Sequence, residues 1–541
     1  MAARSTPPLP LALAQRLCTS AEMQAMDAYA IRRLGIPSLV LMENAAHHVA
    51  RTVQSLVAPH SAAQGAAPAT SRGPAGPIVV CCGRGNNGGD GYAAARLLVN
   101  MGLPAVVVAL GPAASDDARH NARLWARFGE TVDFSTQARK AGGLLRGAGV
   151  LVDALFGTGL QRPLEGGAAR LVRAFNAAPA LHKVAVDVPS GVDGDTGQVL
   201  GIAARCTHTV CIQVGKIGLY QHPGAEHAGQ VNVVPISIPP RWPPRAPGTY
   251  LLTPEFARAL RPARPRAGHK GTFGHLLAVC GSAGMAGAAV LCGLGALKAG
   301  TGLITMGVPR ALRDRFVGLA PELMTLTAAG GDEEALDPPQ LATLLAAARE
   351  RSAVALGCGF GRRAGTLSFA RAFVQRCALP LLIDADGLYG LDAALLRKRR
   401  GVTVLTPHPG ELARLAGCSI GELNADRVGH ARRLARAWGV VLVLKGAGTV
   451  IAAPDGTAFI NPTGDEGLAS GGTGDVLSGI VGGLLAQRLP ALYAALLGVY
   501  VHGLARDLAR PHIAGAAFSA GNLVAGINRA LSALDEHPAA G

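Results

Sequence analysis

The feature that most constrains this chain is a succession of short apolar segments, each closing on a small or acidic turn and separated by helix-length stretches. Pro77 to Cys82, Ala105 to Leu110, Val150 to Ala154 and Val184 to Val188 make one series. Leu276 to Cys280, Ala353 to Gly357, Leu381 to Asp384, Val402 to Leu405 and Val440 to Leu444 make a second. Strands that are apolar on both faces must be covered on both faces, which predicts parallel sheets between layers of helices. In such sheets ligands bind beyond the carboxyl ends of the strands, and the polar motifs of this chain fall there.

The helices announce themselves less evenly. Thr19 or Ser20 suits an N-cap for a helix over Ala21 to Leu34. Ser38 to Val57 and Gly91 to Met101 carry helical periodicity. Residues 1–20 read as a short arm rich in Pro and Ala, and residues 58–77 as a loop. Residues 236–268 are dense in Pro and Arg and divide the two series, so they are expected to be a linker. A length of 541 residues suits two domains. The halves share no repeat, which makes them a fusion of different units: 18–240 and 250–535.

A net charge of +16 invites a nucleic-acid or membrane partner. Neither is expected. The basic residues are scattered Arg with only seven Lys, and the one cluster, Arg397 to Arg400, reads as a solvated helix end. Aromatics at 4% leave few platforms for stacking bases. Leu276 to Leu297 has no charge and reaches the roughly 20 residues that cross a bilayer. Its five glycines instead predict a strand, a turn and a buried helix. There is no charged segment followed by an apolar core at the N-terminus, so a cytoplasmic location is expected. The ten cysteines include no CxxC pair, which supports neither a zinc site nor a thiol redox motif. Reduced, mostly buried thiols are expected.

The first chemical constellation is Gly83-Arg-Gly-Asn-Asn-Gly-Gly-Asp-Gly91, which follows a strand and opens a helix. Its glycines permit positive φ and close backbone approach to a ligand, and the helix N-terminus offers N–H groups to a phosphate. No Gly-Lys-Ser/Thr follows, so it is not a P-loop. Asp153 and the loop to Gly159 end a second strand, and Asp187-Val-Pro-Ser190-Gly191 ends a third. Asn87, Asp153 and Ser190 can converge as oxygen ligands, a donor set for a hard cation. Asp187 is then free to act as acid or base.

These motifs, with Met42-Glu-Asn-Ala-Ala46 upstream, resemble the NAD(P)H-hydrate epimerase family over roughly residues 18–240. The resemblance implies a Rossmann-like three-layer sandwich. It implies substrate contacts from Asn86, Asn87, Gly88, Gly89 and Asp90 and from Gly157, Thr158, Gly159, Leu160, Gln161, Arg162 and Pro163. It also implies K+ at Asn87, Asp153 and Ser190, Asp187 at the reacting ring, and self-association into a homo-oligomer. Lys216 keeps the family's basic position, whereas Cys206-Thr207-His208-Thr209 replaces its usual Ala-Asp-x-Thr.

The second constellation is Asn461-Pro-Thr-Gly464-Asp-Glu-Gly467-Leu-Ala-Ser-Gly471-Gly-Thr-Gly474-Asp475, followed at once by an apolar helix over Val476 to Gln487. A Gly-rich turn and a helix N-terminus aimed at one point make an anion hole, and Asp475 sits where a carboxylate can take a proton from a hydroxyl attacking phosphorus. Lys445-Gly-Ala-Gly-Thr449, Thr406-Pro-His408-Pro-Gly-Glu411 and Gly268-His-Lys270-Gly-Thr-Phe-Gly274 adjoin strands, and Asp384 and Asp386 are candidates to help hold Mg2+. In this order the motifs resemble the ADP-dependent NAD(P)H-hydrate dehydratase family, a branch of the ribokinase-like α/β fold, over roughly 250–535. That resemblance implies ADP at Lys445, Gly446, Ala447, Gly448, Thr449 and Gly474, with His408 and Asp475 facing the substrate. Asp465-Glu466 departs from the commoner Asn-Pro or Asn-Ala.

Together the halves imply repair of hydrated nicotinamide cofactors. The first interconverts the two epimers of NADHX and NADPHX, and the second dehydrates one of them at the expense of ADP. Two other readings stand beside this one: an ATP-dependent small-alcohol kinase of the same fold, and a regulatory nucleotide-binding protein with an inactive first domain.

Overall fold

In this computed structural model the described residues are 8–57, 76–239, 247–316 and 318–536. They form two compact units, one of residues 16–245 and one of 246–541 together with 1–15.

The first unit holds a seven-stranded, wholly parallel sheet. Its spatial order is Thr131–Asp133, Ala105–Ala109, Ile78–Cys82, Val150–Ala154, His182–Val186, His208–Ile212 and Gln230–Val234. Alternation sends Ile78, Val80 and Cys82 to one core and Val79 and Cys81 to the other. The first core packs on helices Ser38–Val57 and Asn86–Asn100, and the second on Ala138–Arg146 and Gly166–Ala177. This two-sided burial is why the strands read as continuous apolar runs. Chain order reverses between Ile78–Cys82 and Val150–Ala154. The loops leaving those two strands therefore part to opposite sides and open a crevice. Thr19 caps the helix Ser20–Arg32 in a reciprocal capping box with Glu22.

The second unit carries ten strands in the order Met324–Leu326, Leu303–Gly307, His275–Val279, Ala353–Leu356, Leu381–Ile383, Thr403–Leu405, Val441–Leu444, Val450–Ala452, Ala458–Ile460 and Thr249–Leu251. Pairing is parallel up to Val441–Leu444, antiparallel through the next two strands, and parallel again at the last. Here the order reverses between His275–Val279 and Ala353–Leu356. Helices Ala286–Lys298 and Thr473–Ala486 lie against each other at glycines. A Cβ on Gly479 would stand 2.0 Å from the Cys292 carbonyl oxygen, and one on Gly295 would stand 2.4 Å from that of Val476.

Several expectations are corrected. The expected linker 236–268 is largely folded. Ile236 and Ile238 are buried in the first unit, Thr249–Leu251 is a strand and Pro254–Ala259 a helix of the second. Residues 240–246 lie outside the described residues, as do 58–75 of the expected loop. From the N-terminal arm, Leu9, Leu11 and Ala14 pack on the core of the second unit, and Thr253 Oγ1 donates to the Leu13 carbonyl at 2.6 Å. The basic cluster is not purely solvated: Arg399 donates to the carbonyls of Cys377, Leu379 and Val402. Leu276 to Leu297 resolves into a strand, a turn and a buried helix, and no described helix is long and apolar enough to cross a membrane.

Candidate active sites

In the first unit the helix expected from Gly91 begins at Asn86, with Gly85 as its N-cap. Asn86, Asn87 and Asp90 are therefore first-turn residues rather than loop residues. None of Gly83, Gly85, Gly88, Gly89 and Gly91 adopts a positive φ. Two of these glycines serve the protein's own backbone. A Cβ on Gly83 would lie 1.8 Å from the Leu155 carbonyl oxygen, and one on Gly88 would lie 2.0 Å from that of Gly83.

This start seats the helix at the crevice, in a cavity of about 1030 Å³. Asn86, Asn87, Asp90, Asp187 and the segment Gly157 to Arg162 line it, as Met42 does from the upstream motif. Gly88, Gly89 and Pro163, expected to touch substrate, do not line it; the two glycines are buried behind the helix face and Pro163 points outward.

Asp187 follows its strand directly in a left-handed conformation, φ 67°. Non-glycine residues hold that geometry only when their surroundings enforce it. Asp187 N donates to the Val210 carbonyl, and Asp187 Oδ1 accepts from Ile212 N at 3.1 Å and from Lys216 Nζ at 2.5 Å. Lys216 is fully buried. Burial is the largest single influence and works against its charge, but Asp187, Cys211 and Cys18 together outweigh burial and hold the ammonium above its ordinary range. Two further carboxylates surround this pair. Burial pushes Asp27 up to about 6, with Lys216 opposing and Asp187 adding to the shift. Burial, with Asp187 and Asp27 nearby, also raises Asp90. Asp27 lines the cavity and was missed in the sequence; its signal was an acid set four residues after Met23 on the stripe that buries Met26 and Ala30.

Asp153 and Ser190 meet beneath the cavity. Asp153 Oδ1 accepts from Ser190 Oγ at 2.6 Å and from Leu155 N at 3.2 Å, and Oδ2 accepts from Ser190 N at 2.7 Å. Burial pushes this carboxyl up to about 6, against the pull of those hydrogen bonds. Asn87 Nδ2 is buried without a partner among the described residues. A Cβ on Gly157 would come within 3.1 Å of Asn87 Oδ1, so the glycine keeps that oxygen clear. The set is all oxygen, and one lone pair remains on Asp153 Oδ2. It fits a hard cation. Thr207 does not line the cavity; it exchanges hydrogen bonds with the backbone of Lys183.

In the second unit Gly472 caps the helix Thr473–Ala486 at φ 90°, and Gly474 and Asp475 lie in its first turn. A Cβ on Gly474 would stand 3.6 Å from Lys445 Nζ, so these two expected ADP residues adjoin. Burial pushes Asp475 up to about 6; Asp384 adds to the shift, while Cys358 and Lys445 oppose it. Lys445 Nζ donates to Asp384 Oδ1 at 2.7 Å and Ser478 Oγ to Asp384 Oδ2 at 2.6 Å. Asp386 accepts from Gly361 N and Arg362 Nε, both at 2.9 Å. Each oxygen of these two carboxylates accepts one hydrogen bond from the protein and keeps a lone pair, so both remain able to help hold Mg2+.

Lys445 to Thr449 joins antiparallel strands as a hairpin, closed by Thr449 Oγ1 on the Gly446 carbonyl. His408 is exposed as the N-cap of Pro409–Ala416, its Nδ1 accepting from Gly410 N at 3.0 Å and Glu411 N at 3.4 Å. Burial raises Glu411. The departing Asp465 binds Arg506 Nε at 2.5 Å, and Arg506 is 1% exposed. It anchors the loop.

Residues 38–218 match the family described as YjeF-related protein N-terminus, and residues 276–524 match NAD(P)H-hydrate dehydratase. The bifunctional NAD(P)H-hydrate repair enzyme Nnr of Moorella thermoacetica is 38% identical over 528 residues, covering 96% of this chain and 97% of that one. The enzyme of the same name from Escherichia coli is 35% identical, covering 80% of each chain. A crystal structure of the ADP/ATP-dependent NAD(P)H-hydrate dehydratase of Bacillus subtilis, co-crystallized with ATP/Mg2+, is 33% identical and covers 52% of this chain and 98% of its own, with a TM-score of 0.46.

Proposed function

The chain belongs to the family of bifunctional NAD(P)H-hydrate repair enzymes, and on that premise we propose how its two sites divide the work. Residues 18–240 epimerise NADHX and NADPHX, and residues 250–535 dehydrate the S epimer with ADP. The observation that carries this reading is one carboxylate at the crevice of each unit: Asp187, bound to Lys216, and Asp475, beside Lys445 and Gly474.

In the first site the Asn86–Asp90 helix start and the Gly157–Arg162 segment hold the nicotinamide nucleotide. Asp187 exchanges a proton with the hydrated ring, positioned by Lys216 and Ile212 N. Asp27, titrating near 6, is the partner acid. Asn87, Asp153 and Ser190 would hold K+, which when bound offsets the Asp153 charge.

In the second site Asp475 takes the proton of the C6 hydroxyl. The oxygen then accepts the β-phosphoryl group of ADP, and the bond to AMP breaks. Loss of phosphate with a C5 proton restores the ring double bond. Lys445 and the N–H groups at Gly474 stabilise charge on the transferring group. Mg2+ is expected to arrive with the nucleotide phosphates. The chain works as a cytoplasmic homo-oligomer, which sedimentation of the purified protein tests.

The direct test is recovery of absorbance at 340 nm from both NADHX epimers with ADP, Mg2+ and K+. Full recovery is expected. Recovery that stops at one epimer would remove the epimerase, and none with ADP, but phosphorylation of a small alcohol by ATP, would replace the dehydratase with a kinase.

A further inference from the structure

The chain has no CxxC pair, yet its fold gathers three cysteines distant in sequence. The sulfurs of Cys280, Cys292 and Cys358 all lie within 4.8 Å of one another, and all three are buried. Cys280 directly follows the strand His275–Val279, and Cys358 follows Ala353–Leu356 after Gly357. These are the two strands between which chain order reverses, so both thiols stand at the crevice. Gly281 N donates to the Cys358 carbonyl at 2.8 Å, tying the two loops together. Cys292 comes from the helix Ala286–Lys298, brought in by its glycine contact with Thr473–Ala486. Asp475 stands near enough for its charge to act on all three thiols.

We infer that Cys280, Cys292 and Cys358 form a site for a thiophilic divalent cation, Zn2+, and that its occupation switches off the chemistry of the nearby Asp475. Thiolates select zinc over hard cations. Tetrahedral zinc with Zn–S bonds of about 2.3 Å sets its sulfurs about 3.8 Å apart, a small contraction of the trio. Two strand ends and one tightly packed helix supply the ligands, so little ordering is left to be done on binding. Binding exchanges three thiol protons for one Zn2+ bonded to three thiolates, with a water oxygen in the fourth position. Lys445, close enough to Cys358 for their charges to interact, offsets part of the resulting negative charge.

The inhibition rests on Asp475 being the dehydratase base; the binding does not, so the two are read separately. Reduced, metal-free full-length protein is titrated with Co2+, followed by Zn2+. One Co2+ per chain is expected, with the near-ultraviolet sulfur-to-cobalt charge-transfer band and the strong visible bands of tetrahedral thiolate cobalt, all lost when Zn2+ is added. One equivalent of Zn2+ lowers ADP-dependent dehydration about 100-fold or more, the worth of a general base, and a chelator restores it. Cys292→Ala, on the helix rather than on either strand-end loop, loses the band, keeps its metal-free rate and escapes inhibition. Cys280→Ala serves the same purpose if Cys292→Ala does not fold. No charge-transfer band in the unmodified protein, or a band that survives either substitution, overturns the site. A band without inhibition keeps the site and removes the switch.

Discussion

The two units solve the same problem with opposite electrostatics. Each sets a carboxylate at the point where a parallel sheet reverses its strand order. In the first unit Asp187 is bound to a fully buried lysine and held in a left-handed turn. In the second, Lys445 is committed to Asp384, and Asp475 is left among acids and a thiol, so burial carries it up to about 6. A carboxylate fixed by an ammonium suits repeated proton exchange at a ring held in one place. A carboxylate raised by burial is a better base once a hydroxyl must be deprotonated near neutrality. The glycine-rich motifs differ in the same way. Those around Asn86 let backbone meet backbone, whereas Gly474 leaves open space in front of a helix N-terminus.

Asp475→Asn breaks the comparison most sharply. It should cost the dehydratase about 100- to 10,000-fold while leaving epimer interconversion intact, read by chromatography of the two epimers. The unmodified protein sharpens the same point through pH. A base must be ionised, so dehydration should fall about tenfold per unit below a midpoint of about 6, not near 4. Lys216→Met comes next. Removing one partner of a buried ion pair costs about 3–5 kcal/mol, so thermal unfolding of the first unit should move down and epimerisation should cease, with dehydration of the S epimer retained. Gly88→Ala forces a Cβ onto the Gly83 carbonyl and should destabilise by about 1–3 kcal/mol. Gly474→Ala meets only Lys445 Nζ at ordinary contact distance, so it should leave the melting temperature unchanged or slightly higher and instead raise the KM for ADP. His408→Ala should cost about 1 kcal/mol of stability for a lost N-cap, read by denaturant unfolding.

What was legible in the sequence was whatever the backbone pattern alone dictates. The helix Ser38–Val57 and the strand Val150–Ala154 have the boundaries read from the chain, because apolar periodicity and turn residues agree there. Asp187, Lys445 and the Asn86–Asp90 motif follow strands for the same reason, and Asp475 lies in the first turn of a helix. What escaped depended on three dimensions. The helix at Asn86 starts five residues early because its glycines pack closely, Gly88 on the Gly83 backbone and Gly89 and Gly91 on side chains, which outweighs their poor helical propensity. Asp27 enters the first site from a helix far upstream. Cys280, Cys292 and Cys358 carry no local spacing at all; strand order alone unites them.

The central claim is that one chain holds two independent and complementary activities, and mixing two half-dead variants tests it most directly. Asp187→Asn should return absorbance at 340 nm only to the fraction of S epimer, and Asp475→Asn should return none. Combined in one cuvette with ADP, they should restore the full signal, because the epimerised substrate is free to pass from one protein to the other. A mixture that stops where Asp187→Asn stops alone would contradict the assignment of epimerisation to the first unit.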